Sequence, residues 1–237
     1  MFAFVMMKQK DIQGRALLDY FLGKEDVQLV LHTSYGPPEQ MPTEVFFRDL
    51  SDFSKLEILA LENCRGTVLD VGAGAGSFAL ELQEKGIQVT ALEISSLSCE
   101  IMRQRGVEKV EEGNIWEYSS AKYETLLLMM NGIGLAGTLE SLPAFLSRLK
   151  ECMLPGGQII CDSSDISYLY KGGKKPTDKY FGEIDYCYEY EGEMGEVFRW
   201  LYADVITFAR ACAAVGLKLE VLQRNRYDQF LCRITGQ

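Results

Sequence analysis

From residue 66 onward, short apolar runs alternate with amphipathic stretches, the pattern of an α/β protein built on a mostly parallel sheet. Residues 67–71 predict the first strand, 78–85 a helix closed by Gly86, and 88–93 the second strand. Ser95 or Ser96 can cap a helix to Arg105, stopped by Gly106, ahead of a short third strand at 109–112. Residues 123–130 form a near-continuous apolar run, as expected of a central strand buried on both faces. A helix over 141–152 follows, and the turn Leu154-Pro155-Gly156-Gly157 leads into a fifth strand at 158–162. Asp204 caps a last helix to Val215, with Gly216 as its stop. Strands at 218–223 and 227–234 are joined too briefly for anything but an antiparallel pair.

Two segments stand outside this alternation. Residues 1–65 predict an N-terminal helical lid: a helix from Asp11 to Leu22 stopped by Gly23, a loop-rich stretch at 34–42, and a helix from Ser54 to about Cys64. Residues 165–203 form an insertion after the fifth strand. There the aromatic and polar alternation at 186–190, a Glu-Gly-Glu-Met-Gly turn and the return at 196–202 predict a β-hairpin. The division expected is one domain over 1–237, with a core at 66–164 and a C-terminal helix and two strands at 204–237.

Composition narrows the partners. Lys+Arg 24 against Asp+Glu 34 gives a net charge of −10, which opposes a nucleic acid or an anionic membrane surface. The seven cysteines approach no closer than nine residues, so neither a Cys-x-x-Cys redox pair nor a zinc spacing occurs and no metal is expected. Reduced thiols fit a cytoplasmic protein. The apolar septet at 1–7 precedes Lys8 and Lys10, the reverse of a signal peptide, and no apolar run is long enough to span a bilayer.

The glycines concentrate in Asp70-Val71-Gly72-Ala73-Gly74-Ala75-Gly76, at the exit of the first strand. Without Cβ atoms the backbone can bend sharply and let a ligand lie against it, beside the free N–H groups of the next helix; close strand–helix packing is the structural alternative. Asp70, two residues before the first glycine, would repel a pyrophosphate and attract an ammonium group. Glu93 ends the second strand 21 residues after Gly72, where a carboxylate can accept hydrogen bonds from two ribose hydroxyls. Nicotinamide and S-adenosyl cofactors both need that contact, and Asp70 disfavours the former.

On Asp70, Gly72, Gly74, Gly76 and Glu93 the chain resembles the class I S-adenosylmethionine-dependent methyltransferases, over about 66–162 with a matching end to 234. The resemblance implies a Rossmann-like seven-stranded sheet whose last strand is antiparallel, and S-adenosylmethionine as cofactor with S-adenosylhomocysteine as product. It places Ile94 on the adenine, and it puts Asn114 of Glu112-Gly113-Asn114-Ile115 where the family commonly has an aspartate for the adenine amino group. An amide oxygen can accept the same bond without the charge. It sets Met130-Asn131-Gly132 against the methionine portion. Phe46-Phe47-Arg48 could cover the cofactor with Arg48 on its carboxylate, or Arg48 could form a surface salt bridge.

The implied reaction is in-line methyl transfer, which requires no particular catalytic side chain, so none is assigned. After the fourth strand stands Asn131-Gly132-Ile133-Gly134, not an Asn/Asp-Pro-Pro-aromatic signature, and no proline precedes a cysteine, so nucleic acid is disfavoured. A small-molecule acceptor is expected. The alternatives are a protein acceptor or a non-catalytic S-adenosylmethionine-binding scaffold. His32, the one histidine, near Tyr35, is a candidate base or a lid-surface residue. Seven of the twelve tyrosines, Tyr168 among them, fall at 168–202 with Trp200. They could wall an acceptor pocket or pack the hairpin on the domain or on a second subunit of a homodimer. Asp162, at the end of the fifth strand, could bind an acceptor amine or cap the next turn.

Overall fold

The computed structural model describes residues 11–171, 173 and 175–236; the apolar septet lies outside them. α1 (Ile12–Phe21) starts at Asp11, whose carboxylate accepts from the Gly14 N–H at 2.8 Å. It leads to β1 (Leu29–Thr33) and β2 (Glu39–Met41). α2 (Lys55–Asn63) opens with a capping box in which Ser54 and Glu57 satisfy each other's backbone N–H groups. The core then runs β3 (Val68–Val71), α3 (Ser77–Glu84), β4 (Val89–Glu93), α4 (Ser96–Arg105), β5 (Val110–Glu112), β6 (Tyr123–Leu128), α5 (Leu142–Glu151) and β7 (Met153–Ser164). The insertion supplies β8 (Glu183–Tyr190), β9 (Glu193–Met194) and β10 (Phe198–Leu201), and the chain closes with α6 (Val205–Ala214), β11 (Leu217–Arg224) and β12 (Gln229–Gly236).

The larger sheet has the order β11-β12-β7-β6-β3-β4-β5, with β12 antiparallel to both neighbours and every other pair parallel. The central strands β3 and β6 are mostly apolar because both faces are covered, with Asp70, Glu124 and Thr125 as the exceptions. Leu69, Leu126 and Leu128 pack with Phe145, Leu149 and Phe208 from α5 and α6. Val68 and Leu127 pack on the other side with Leu56, Ala79, Leu82 and Met102 from α2, α3 and α4. This is the expected seven-stranded fold.

The N-terminal segment and the insertion differ from expectation in two respects. They build a single second sheet, of order β10-β8-β1-β2 with β9 on β8, all antiparallel. β1, apolar at Leu29, Val30 and Leu31, fills the open edge that a lone hairpin would leave on β8, with Leu31 opposite Tyr188 and Thr33 opposite Tyr186. The stretch at 34–42, expected as loop, carries β2. This accessory sheet is tied to the core by the Asn131 amide donating to the Leu201 carbonyl at 3.0 Å and by the Leu139 N–H donating to Glu183 at 2.9 Å.

The capping box also anchors the approach to the core. Glu57, 8% exposed, accepts from the Ser54 N–H at 2.8 Å and from both terminal nitrogens of Arg48 at 2.6 and 3.1 Å. Glu57→Ala therefore removes a helix cap and leaves a half-buried guanidinium unpaired. Urea unfolding is expected to show a loss of about 2 kcal/mol.

Candidate active site

At the carboxyl ends of β3 and β4 the core sheet opens a crevice, and the accessory sheet covers it. The result is one chamber of about 320 Å³. Residues directly opposite in an antiparallel pair share a face, so Tyr186 and Tyr188 of β8, Phe198 and Trp200 of β10 and Leu31 of β1 all point into it. Gln13 and Leu17, one helical turn apart on α1, and Phe46 close one end.

The opposite wall is the glycine turn. Gly72 and Gly74 sit at φ +72° and +56°, and a Cβ on either would meet only the side chains of Leu135 at 3.8 Å and Phe46 at 3.5 Å. The turn is braced by Glu93. One of its oxygens accepts from the Gly74 N–H at 2.9 Å and the other from the N–H groups of Ile94 and Ser95 at 2.8 and 3.0 Å. A carboxylate offers about four acceptor positions, so the oxygen facing Gly74 keeps one free. Burial raises the Glu93 pKa despite these bonds.

Asp70 lies beneath the turn, 2% exposed, with Oδ2 lacking any partner. Burial, with a smaller contribution from the Glu93 charge, pushes it up to about 7. Asn114 accepts the Trp116 N–H at 3.0 Å, which leaves its amide oxygen one more lone pair. At the exit of β6, Met130 and Asn131 both adopt φ +57°. That strained pair is held by the Asn131 N–H donating to Asp162 at 2.8 Å, while Asp162 also accepts from Gln229 at 2.9 Å. Asp162 is buried, and burial pushes it up to about 6.

These groups fit a ligand that brings an ammonium to the unpartnered Asp70 oxygen, a diol to Glu93 and a flat ring to the apolar side chains of Ile94 and Ile115. The comparisons show the family. The methyltransferase domain family matches residues 41–221. A SAM-dependent methyltransferase from Bacteroides fragilis, solved in complex with S-adenosyl-L-homocysteine, is 37% identical over 96% of this chain and 95% of its own, with a TM-score of 0.88. The chain belongs to the S-adenosylmethionine-dependent methyltransferases. The CcbJ methyltransferase of Streptomyces caelestis, at 15% identity over 77% of this chain and 94% of its own, TM-score 0.62, shares the fold. So does a protein of Pyrococcus horikoshii OT3, at 17% identity over 77% of this chain and 88% of its own, TM-score 0.58. No curated protein matches significantly. S-adenosylmethionine is the cofactor.

Of the residues expected at the methyltransferase's cofactor, Asp70, Gly72, Ala73, Gly74, Glu93, Ile94, Asn114 and Ile115 line the chamber. Three do not. Gly76 caps α3 at φ +86°, where a Cβ would stand 2.9 Å from both Met102 and Val107, so this glycine serves helix packing. Asn131 is turned to Asp162 and Leu201, and its neighbours Met130 and Gly132 face the chamber instead. Arg48 is bound to Glu57 and the Val45 carbonyl, the salt-bridge alternative.

Among the acceptor candidates only Trp200 is on the wall. Tyr35 packs in the accessory-sheet cluster with Tyr186 and Trp200 rather than on the chamber wall, Tyr168 is 46% exposed, and Asp162 serves the Asn131 clamp. His32 points to the other face of its strand and pairs with Glu189 at 2.7 Å, an acid 157 residues away that local sequence could not reveal. Sequence reasoning did not single out Gln13, Leu17, Met129, Tyr186, Tyr188 or Tyr202 individually. The alternation along 186–190 carried the signal for the first two tyrosines.

Gly76→Ala should lower stability by about 1–3 kcal/mol in thermal or urea unfolding while S-adenosylhomocysteine affinity is retained. Asp70 binds its proton more tightly in the folded chain than in the unfolded one, so its ionisation removes stability as pH rises from about 4 through 7. With Glu93 and Cys64 as the titratable neighbours, Asp70→Asn should melt a few degrees higher than the wild-type protein at pH 8. The difference should vanish near pH 4.

Proposed function

We propose that this methyltransferase transfers the methyl group to a small molecule held in the chamber between the glycine turn and the aromatic face of the accessory sheet. The observation that carries this reading is the shared enclosure: Tyr186, Tyr188, Phe198 and Trp200 line the same cavity as Asp70, Gly74 and Glu93. The hairpin's aromatic face is thus turned inward, which supports the acceptor wall over a subunit interface.

In this reading Asp70 pairs with the ammonium of the cofactor, and Glu93 accepts from its ribose hydroxyls. Asn114 accepts from the adenine amino group, between Ile94 and Ile115. When bound, S-adenosylmethionine supplies an electrophilic methyl group on a positively charged sulfur. The chain's own contribution is to align the acceptor and exclude water, which α1, Phe46 and the accessory sheet do by closing the crevice. Rigidity near the reacting centre comes from the Asp162 clamp on the strained Met130–Asn131 turn. The seven cysteines are all free and buried, which supports a reducing compartment such as the cytoplasm. Among the described residues no helix is long and apolar enough to cross a membrane.

Calorimetric titration tests the cofactor half. Asp70→Ala and Gly74→Val should each weaken S-adenosylhomocysteine binding by at least about 100-fold while urea unfolding stays cooperative. Unchanged affinity in both variants contradicts the site assignment. For the acceptor half, methyl-labelled S-adenosylmethionine incubated with a whole-cell extract should place the label in the low-mass fraction. Label confined to protein or nucleic acid contradicts it.

A further inference from the structure

The chamber's side chains restrict the chemistry of the acceptor, an argument that rests on the reading above. Among the described residues lining the chamber, Asp70 and Glu93 are the charged ones; none is lysine, arginine or histidine. The nearby cations are committed elsewhere. Arg48 is paired with Glu57, and Arg105 donates to the Ala75 carbonyl at 2.6 Å and to that of Phe47 at 3.4 Å. An anionic acceptor, whether carboxylate or phosphate, would therefore lose its hydration without gaining a counter-charge from the chain, beside two acids.

A hydroxyl acceptor meets a different obstacle. An alcohol must lose its proton as it attacks, and that requires a base within hydrogen-bond reach. His32 is on the far face of β1, held by Glu189. Three of the lone-pair positions of Glu93 are filled by backbone N–H groups. Asp70 is beneath the glycine turn, on the side of the chamber opposite β8 and β10. The tyrosine hydroxyls of the wall do not serve either. Burial raises the pKa values of Tyr186, Tyr188 and Tyr202, and the first and last are hydrogen-bonded to each other at 3.0 Å.

What the wall does offer is aromatic faces. Phe198 and Trp200 meet edge to face at 83° with centroids 6.1 Å apart, forming a corner, and Tyr186 and Phe198 lie 5.9 Å apart. Ring faces attract positive charge and apolar bodies, and they disfavour anions.

We propose that the acceptor is a neutral amine on an apolar or aromatic body, seated against Trp200 and Phe198 and methylated on nitrogen. The amine needs no base at the attack: its ammonium form gives its proton to water on leaving bulk solvent, which desolvation next to the sulfonium favours, and the lone pair of the uncharged form is then free. That pair forms the N–C bond while the S–C bond breaks and leaves its electrons on sulfur. The positive charge passes from sulfur to nitrogen, and the resulting ammonium gives up a proton to water on release. The aromatic corner attracts the charge at its destination.

The test is calorimetry on the purified protein saturated with S-adenosylhomocysteine, using phenethylamine, 2-phenylethanol and phenylacetate, followed by transfer assays with methyl-labelled S-adenosylmethionine. Phenethylamine is expected to bind at least tenfold more tightly than phenylacetate and to be the one of the three that takes up label. Trp200→Leu, which keeps an apolar side chain but removes the ring face, should weaken the amine at least fivefold with S-adenosylhomocysteine affinity unchanged, and Trp200→Phe should restore most of it. Equal or tighter binding of phenylacetate, label on the alcohol, or no binding by any of the three to a protein that does bind S-adenosylhomocysteine overturns the proposal. If S-adenosylhomocysteine itself does not bind, the underlying reading of the chamber falls, and the proposal with it.

Discussion

The structure depends on the pairing of β1 with β8, strands that meet from opposite ends of the chain. The core sheet by itself offers only a crevice at the ends of its parallel strands, where such sheets bind ligands. The accessory strands by themselves would be a hairpin with an unpaired edge, which is marginally stable in water. When Leu31 comes opposite Tyr188, the edge is filled and the aromatic face is fixed over the crevice. The Asn131 and Glu183 hydrogen bonds then lock this second sheet to the loop leaving β6. In the proposed reading, cofactor wall and acceptor wall become two sides of one enclosure.

The electrostatics of that enclosure are costly to the free protein. Asp70 is buried with an unpartnered oxygen, and Glu93 is held ionisable only by the backbone N–H groups of the turn it braces. Burial raises the pKa of both carboxyl groups, and with the Glu93 charge as a smaller cause Asp70 rises to about 7. Such an arrangement destabilises the fold in return for affinity toward a cation. In the proposed reading, the sulfonium and ammonium of S-adenosylmethionine supply that cation. The strained Met130–Asn131 turn is a second instance, kept by the buried Asp162 clamp.

Much of this was legible in sequence, for identifiable reasons. The core strands carry largely apolar runs, the helix caps are local, and the glycines of the turn stand at alternate positions with the two acids at fixed offsets. Those signals act over a few residues, and the structure keeps them. What escaped was long-range. Glu189 as the partner of His32 and β1 as the partner of β8 both depend on how distant segments meet. The residues 34–42 look like loop because Gly36, Pro37 and Pro38 dominate them, and β2 forms only because β1 is already a strand beside it. Gly76 shows the opposite error: it belongs to the glycine pattern by spacing, yet Met102 and Val107 explain it.

The central claim is that two sheets form a single chamber around the cofactor and its acceptor. Hydrogen exchange read by mass spectrometry, with and without saturating S-adenosylhomocysteine, tests it most directly. The account predicts slower exchange both in the glycine turn at 70–77 and in the accessory strands at 29–33 and 184–190. Slowing confined to the turn, with the accessory strands unchanged, would contradict it.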